Sequence, residues 1–202
     1  MVGHYRLRIL TASLASVAGL AIAACGSEYE KSPVAASGFP GVSHAQKSNA
    51  RADVQQLLTQ VRQVTAKYHN IDAAVADGYV DDGYGCIDAT FFGLDASVGA
   101  MGFHMAKWSL HDDPAEDPLQ PEYLVYEPAG SANGKPKLVA LEYEVFRPDW
   151  WAAGNTTPPS LFGHEFESFD FDGFQVFGLH VWLWRDNPSG MFTDWNPKVS
   201  CR

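Results

Sequence analysis

The stretch G-L-H-V-W-L-W-R-D-N-P-S-G-M-F-T-D-W-N-P, residues 178–197, constrains this chain more than any other. Leu179, Val181 and Leu183 alternate with His180, Trp182 and Trp184, which is the period of an extended strand. One face is aliphatic; the other carries an imidazole and two indoles. Asn187-Pro188-Ser189-Gly190 then ends the strand, because proline cannot donate to a ladder and glycine supplies turn angles. An imidazole on the aromatic face of a core strand needs a hydrogen-bond partner or a metal, since an orphaned buried polar group costs about 1–3 kcal/mol.

A second anomaly lies upstream. Leu138 to Phe146 reads as a strand in which Val139, Leu141, Tyr143 and Val145 share one face. Glu142 and Glu144 fall on the other, among Leu138, Ala140 and Phe146. Glutamate is rarely buried in mid-strand unless it is paired or ligates an ion. Tyr123 to Tyr126 is the preceding strand, joined through a turn at residues 130–137 that contains Asn133-Gly134.

The third anomaly is His104, in G-A-M-G-F-H-M-A-K-W, residues 99–108. In an extended chain it shares a face with Gly102 and Ala106, small neighbours that leave room for an approaching group. In a helix, Met101, His104, Met105 and Trp108 would cluster instead, as in a thioether–imidazole copper site. The two glycines favour the strand or loop.

Glu165 to Phe171 predicts a strand and Asp172-Gly173 a two-residue turn into Phe174 to Trp184. Ideal register sets Phe171 against Phe174 and Glu165 against His180; a slip of one residue brings His164 there. His111 to Pro118 reads as an acidic, proline-broken loop, with a solvated charge run preferred over a calcium site.

The helices come first. Val54, Leu57, Leu58, Val61 and Val64 form one apolar stripe within 51–67, and Asn70 is placed to cap a short second helix over 71–77. Helices followed by hairpin-linked strands argue against alternating βαβ units. The expected fold is α+β: an N-terminal helical hairpin packed on an antiparallel sheet that curves into a partial or closed β-barrel.

The N-terminus has Arg6 and Arg8 before an apolar run from Ile9 to Ala24, shorter than the ~20 residues of a membrane span. Ile22-Ala23-Ala24-Cys25 resembles a bacterial lipobox, so residues 1–24 are expected to be a lipoprotein signal peptide and Cys25 the lipidated residue. The expected organisation is that signal, a flexible tether over 25–50, and one domain over 51–202, held in the cell envelope outside the cytoplasm. Removing 1–24 takes away Arg6 and Arg8 and no acid, leaving 12 basic against 24 acidic residues. Such a surface does not suit nucleic acid. In an oxidising compartment Cys86 and Cys201 are expected to pair, the alternatives being free thiols or metal ligands.

The strings G-A-M-G-F-H, P-E-Y-L-V-Y-E-P, V-A-L-E-Y, L-F-G and L-H-V-W-L-W-R-D-N-P-S-G-M-F-T-D-W-N-P-K-V-S-C are similar to those of a family of uncharacterised secreted bacterial proteins. The resemblance spans roughly residues 68–201. It implies that His104, Glu142, His180 and Cys201 stand at motif positions, and it implies no reaction.

No HExxH, CxxC pair, phosphate-binding glycine loop or G-x-S-x-G is present. The leading functional expectation is a His/Glu metal site inside the sheet, with His104, Glu142 and His180 as ligands and His164 as a fourth. Zinc, copper and iron all suit imidazole and carboxylate ligands. If the protein is an enzyme, Glu144 is the candidate general base. The competing expectation is a non-catalytic lipoprotein in which Trp182, Trp184, Trp150 and Trp151 line a pocket for a sugar or apolar small molecule. The bland alternative satisfies each histidine with a backbone carbonyl and Glu142 with a lysine or arginine.

Overall fold

The computed structural model describes residues 44–131 and 134–202; the expected signal peptide, Cys25 and most of the tether lie outside them. Helix α1, His44–Thr65, begins earlier than the apolar stripe, so residues 44–50 belong to a helix rather than to the tether. Its Leu58 and Val61 are buried against the sheet, with Val54 and Leu57 packed beside them. A 3-10 turn, Ala66–His69, leads to α2, Ile71–Ala76. Between them Asn70 is extended, and its side chain caps α2 by accepting from the Asp72 amide. The expected helical hairpin does not form. At six residues α2 is too short to line α1, and it seats on the turn instead. No helix among the described residues is long and apolar enough to cross a membrane.

The strands are β1 Val80–Asp81, β2 Ile87–Asp88, β3 Ala100–Ala106, β4 Tyr123–Glu127, β5 Lys137–Phe146, β6 Ser160–Leu161, β7 His164–Glu165, β8 Glu167–Phe171 and β9 Phe174–Val181. The main sheet runs β1-β3-β4-β5-β9-β8, with β2 also on β3, and every pairing is antiparallel. It is an open sheet, not a closed barrel: β1 and β8 stand at opposite edges and do not pair. Two-residue β1 offers too short a ladder to complete the circle of hydrogen bonds that closure needs. β6 and β7 form a separate hairpin, and α3, Arg147–Ala152, follows β5.

The two faces of the sheet differ sharply. One is the main core, where Leu124, Leu141, Tyr143, Val145, Leu179 and Val181 meet α1 and the Ala66–His69 turn. The Tyr126 hydroxyl fixes the turn by donating to the Tyr68 carbonyl at 2.7 Å. On the opposite face a small cluster of Ala100, Val125, Val139, Ala140, Trp182 and Val199 occupies one end. A bulge in β5 explains the membership of Val139. Val125 pairs with Ala140 while Tyr126 pairs with Leu138, so the extra residue sends Leu138 to the main core and Val139 to the other side.

The C-terminal segment covers that second face. Ala100 and Asn196 exchange both backbone hydrogen bonds, and Cys201 is disulfide-bonded to Cys86. Close approach of this segment requires Gly99, whose φ is +98°: a Cβ there would sit 2.1 Å from the Asn196 carbonyl oxygen. The expected cysteine pairing is present.

Candidate metal centre

His104, Glu142 and His180 come from β3, β5 and β9, and all three are buried. Glu142 and His180 are direct cross-strand partners. His104 lies two strands from Glu142 and pairs with Val125, which pairs in turn with Ala140. Its ring crosses these short side chains to reach the other two. His104 Nε2 is 3.3 Å from Glu142 Oε2 and 3.4 Å from His180 Nε2; His180 Nδ1 is 3.5 Å from Glu142 Oε1. One ligand atom from each residue falls within 4.8 Å of the others.

Those separations have a specific chemical meaning. Two ligands each ~2.0–2.1 Å from a tetrahedral ion stand about 3.3 Å apart. Two Nε2 atoms facing each other at 3.4 Å can share one proton or one cation, and the carboxylate oxygen at the same spacing stabilises either. The nearest polar partners of the three are largely one another, with Asp194 also beside His180. Among the described residues no lysine or arginine pairs with Glu142, and His104 Nδ1 has no hydrogen-bond partner. Burial by itself would push the Glu142 carboxyl up, but the imidazoles of His180 and His104 outweigh it and hold the group below its ordinary value. Burial likewise opposes charge on His180; Glu142 and Asp194 overcome that and raise it.

Two glycines shape the site. Gly102 does not open a path to His104, as its small size suggested. Its φ is +120° and a Cβ would lie 2.5 Å from the Tyr126 carbonyl oxygen, so the backbone demands it. Gly178 makes room instead: a Cβ there would meet Phe169 Cε1 at 2.7 Å and Glu142 Oε1 at 3.4 Å.

Acids surround the three. Asp194 Oδ1 is 3.7 Å from His180 Nδ1, and the Asp82 amide donates to the His104 carbonyl. The Asp82 carboxyl is raised by burial, against the lowering effects of the Tyr84 amide and His104.

His164, expected as a fourth member, lies apart from the three. It is exposed on β7 and stacks on Phe192, with ring centroids 3.9 Å apart. Glu165 does not face His180 either, because β7 pairs with β6 and the Phe166 amide donates to Pro159, breaking the expected strand into two. The turn itself holds, with Phe171 against Phe174.

Glu144 shares the face of Glu142 but belongs to an adjoining group. It accepts from the Tyr123 hydroxyl at 3.2 Å and lies 3.5 Å from His111 Nε2, and burial raises its carboxyl. His111 is buried, not part of a solvated loop. Glu116 from the same loop is pushed up to about 8 by burial. Sequence reasoning missed His111, Asp82 and Asp194; each sits beside turn residues, with no apolar periodicity to mark it as part of the site.

The four tryptophans do not gather round one pocket. Trp182 is buried on the face of His180, stacking at 6.2 Å between centroids. Trp184 packs on the opposite face, edge-on to His69, and Trp150 lies with that same core. Trp151 meets Phe177. A different cavity, of about 250 Å3, opens over Glu142 and His180, walled by Phe92, Leu94, Met101, Phe169 and Trp195 with Glu167 and Asp194 at its margin.

No family model, curated protein or solved structure matches this chain.

Proposed function

We propose that this protein is an extracytoplasmic metal-binding protein whose single ion is held by His104, Glu142 and His180. The convergence of three buried ligand atoms within 4.8 Å, drawn from three separate strands, carries the reading. Two imidazoles and one carboxylate suit zinc or iron, and copper less specifically. Three protein ligands leave a coordination position for water or substrate. Activation of water or oxygen at that position is the natural reaction class, and Glu144, two residues from Glu142 on the same face, is the candidate base.

The experiment is elemental analysis of protein purified without chelator, beside a His180→Ala variant. About one equivalent in the wild type and a tenth or less in the variant is expected. Equal metal in both, with both folded, defeats the proposal.

The placement outside the cytoplasm rests on the N-terminal pattern ending at Cys25 and accords with the Cys86–Cys201 bond. A Cys25→Ser variant is expected to leave the membrane fraction that retains the wild type. Unchanged membrane retention contradicts lipidation.

The cavity favours a second reading, a non-catalytic binding protein for an apolar small molecule. It predicts ligand binding that chelation does not alter.

A further inference from the structure

We infer that the metal centre takes a neutral, largely apolar molecule of one or two rings that offers a lone-pair donor to the ion. The inference rests on the metal reading and concerns the cavity above it. Glu142 and His180 form part of the cavity wall, so an occupant lies against two of the three proposed ligands. The remaining wall is apolar and aromatic, and it is left open to water at some cost: Phe92 is 48 % exposed, Leu94 45 % and Phe169 38 %. The Ala89–Phe92 turn presents Phe92, which meets Trp195 edge-on at 5.7 Å between centroids. The two rings touch, so they form one continuous aromatic wall beside Glu142 and His180.

Size and charge narrow the class. A cavity of roughly 150 Å3 holds benzene, so about 250 Å3 has room for one or two rings. Glu167 and Asp194 at the margin, in a chain of net charge −10, disfavour an anionic ligand. Among the described residues the cavity wall contains no lysine or arginine to pair with an acid. A neutral ring compound can attach through its own lone pair on the metal, with Glu167 and Asp194 placed to accept from an N–H or O–H it carries.

The test uses cobalt(II)-loaded protein, whose visible spectrum reports ligation, and three probes: imidazole, 4-phenylimidazole and benzoate. The phenyl group is expected to tighten binding at least about tenfold over imidazole, from apolar area removed from water, with benzoate weakest. In a Phe92→Ala/Leu94→Ala variant, altered only at exposed positions, the phenyl advantage should fall below about threefold while cobalt uptake persists. Equal affinity for the two imidazoles on a cobalt-bearing protein overturns the inference and leaves the metal reading standing. Phenylimidazole binding that survives chelation overturns it in favour of the metal-free binding reading. Failure to take up cobalt at all removes the metal reading and this inference together.

Discussion

Glu142 and Glu122 are both buried carboxylates, yet their surroundings drive them to opposite protonation states. Glu142 is buried but flanked by His180 and His104, which keep it charged. Glu122 has no such partner. Burial, with Glu116 nearby, pushes it up to about 9, and the Glu144 amide that donates to its Oε2 only partly offsets this. A carboxyl that titrates higher in the folded chain than in the unfolded one binds an extra proton when folded. Its stabilising contribution is therefore complete below the ordinary value of 4.5 and is lost as pH rises through about 9. Glu116, at about 8, adds a loss of the same sign. Glu122→Gln keeps an acceptor for the Glu144 amide and cannot ionise. Melting temperatures at pH 5.5 and 8.5 are expected to diverge, the variant gaining roughly several degrees on the wild type at the higher pH. A constant difference at both pH values contradicts the assignment of a neutral Glu122.

The elements that carry the centre and those that wall the cavity are distinct. β3, β5 and β9 supply His104, Glu142 and His180 from within a continuous ladder. Asp194 and Trp195 arrive on the C-terminal segment, held by the Ala100–Asn196 bridge and by Cys201 on Cys86. That disulfide spans 115 residues of sequence, and removing such a link typically costs about 2–4 kcal/mol through the unfolded chain. The variant Cys86→Ser/Cys201→Ser is expected to lose that much in urea denaturation. It should still bind zinc when folded, because the ligating strands stay paired. Loss of zinc binding in a folded variant would show that the tail, not the sheet, assembles the centre. The sequence made the strands legible wherever apolar and polar residues alternate, as in β5 and β9. The β5 bulge left no mark on that alternation, so Leu138 and Val139 exchanged faces unseen. The break at Phe166 was equally hidden, since it depends on a backbone hydrogen bond to distant Pro159.

Across the whole molecule, the α+β class and the order of helices before strands follow from periodicity, while closure of the sheet does not. Whether edges meet depends on strand lengths and pairing, and β1 has only two residues to offer. The core of the site was legible because His104, Glu142 and His180 are polar exceptions inside apolar segments. His164 misled because its nearness to the hairpin in sequence suggested a register that the β6–β7 pairing removes. His111 lay in a segment that reads as solvated, and only folding buries it, while Asp82 is half-buried and Asp194 stays partly exposed beside His180. A molecule with its main core on one side of the sheet and a line of buried acids and imidazoles on the other is organised around that second face. X-ray absorption at the zinc edge of the zinc-loaded protein tests this most directly. The account predicts nitrogen and oxygen neighbours at ~2.0–2.1 Å with outer-shell scattering from two imidazoles, reduced to one by His104→Ala. Zinc surrounded by oxygen alone, or a spectrum unchanged by that substitution, would contradict it.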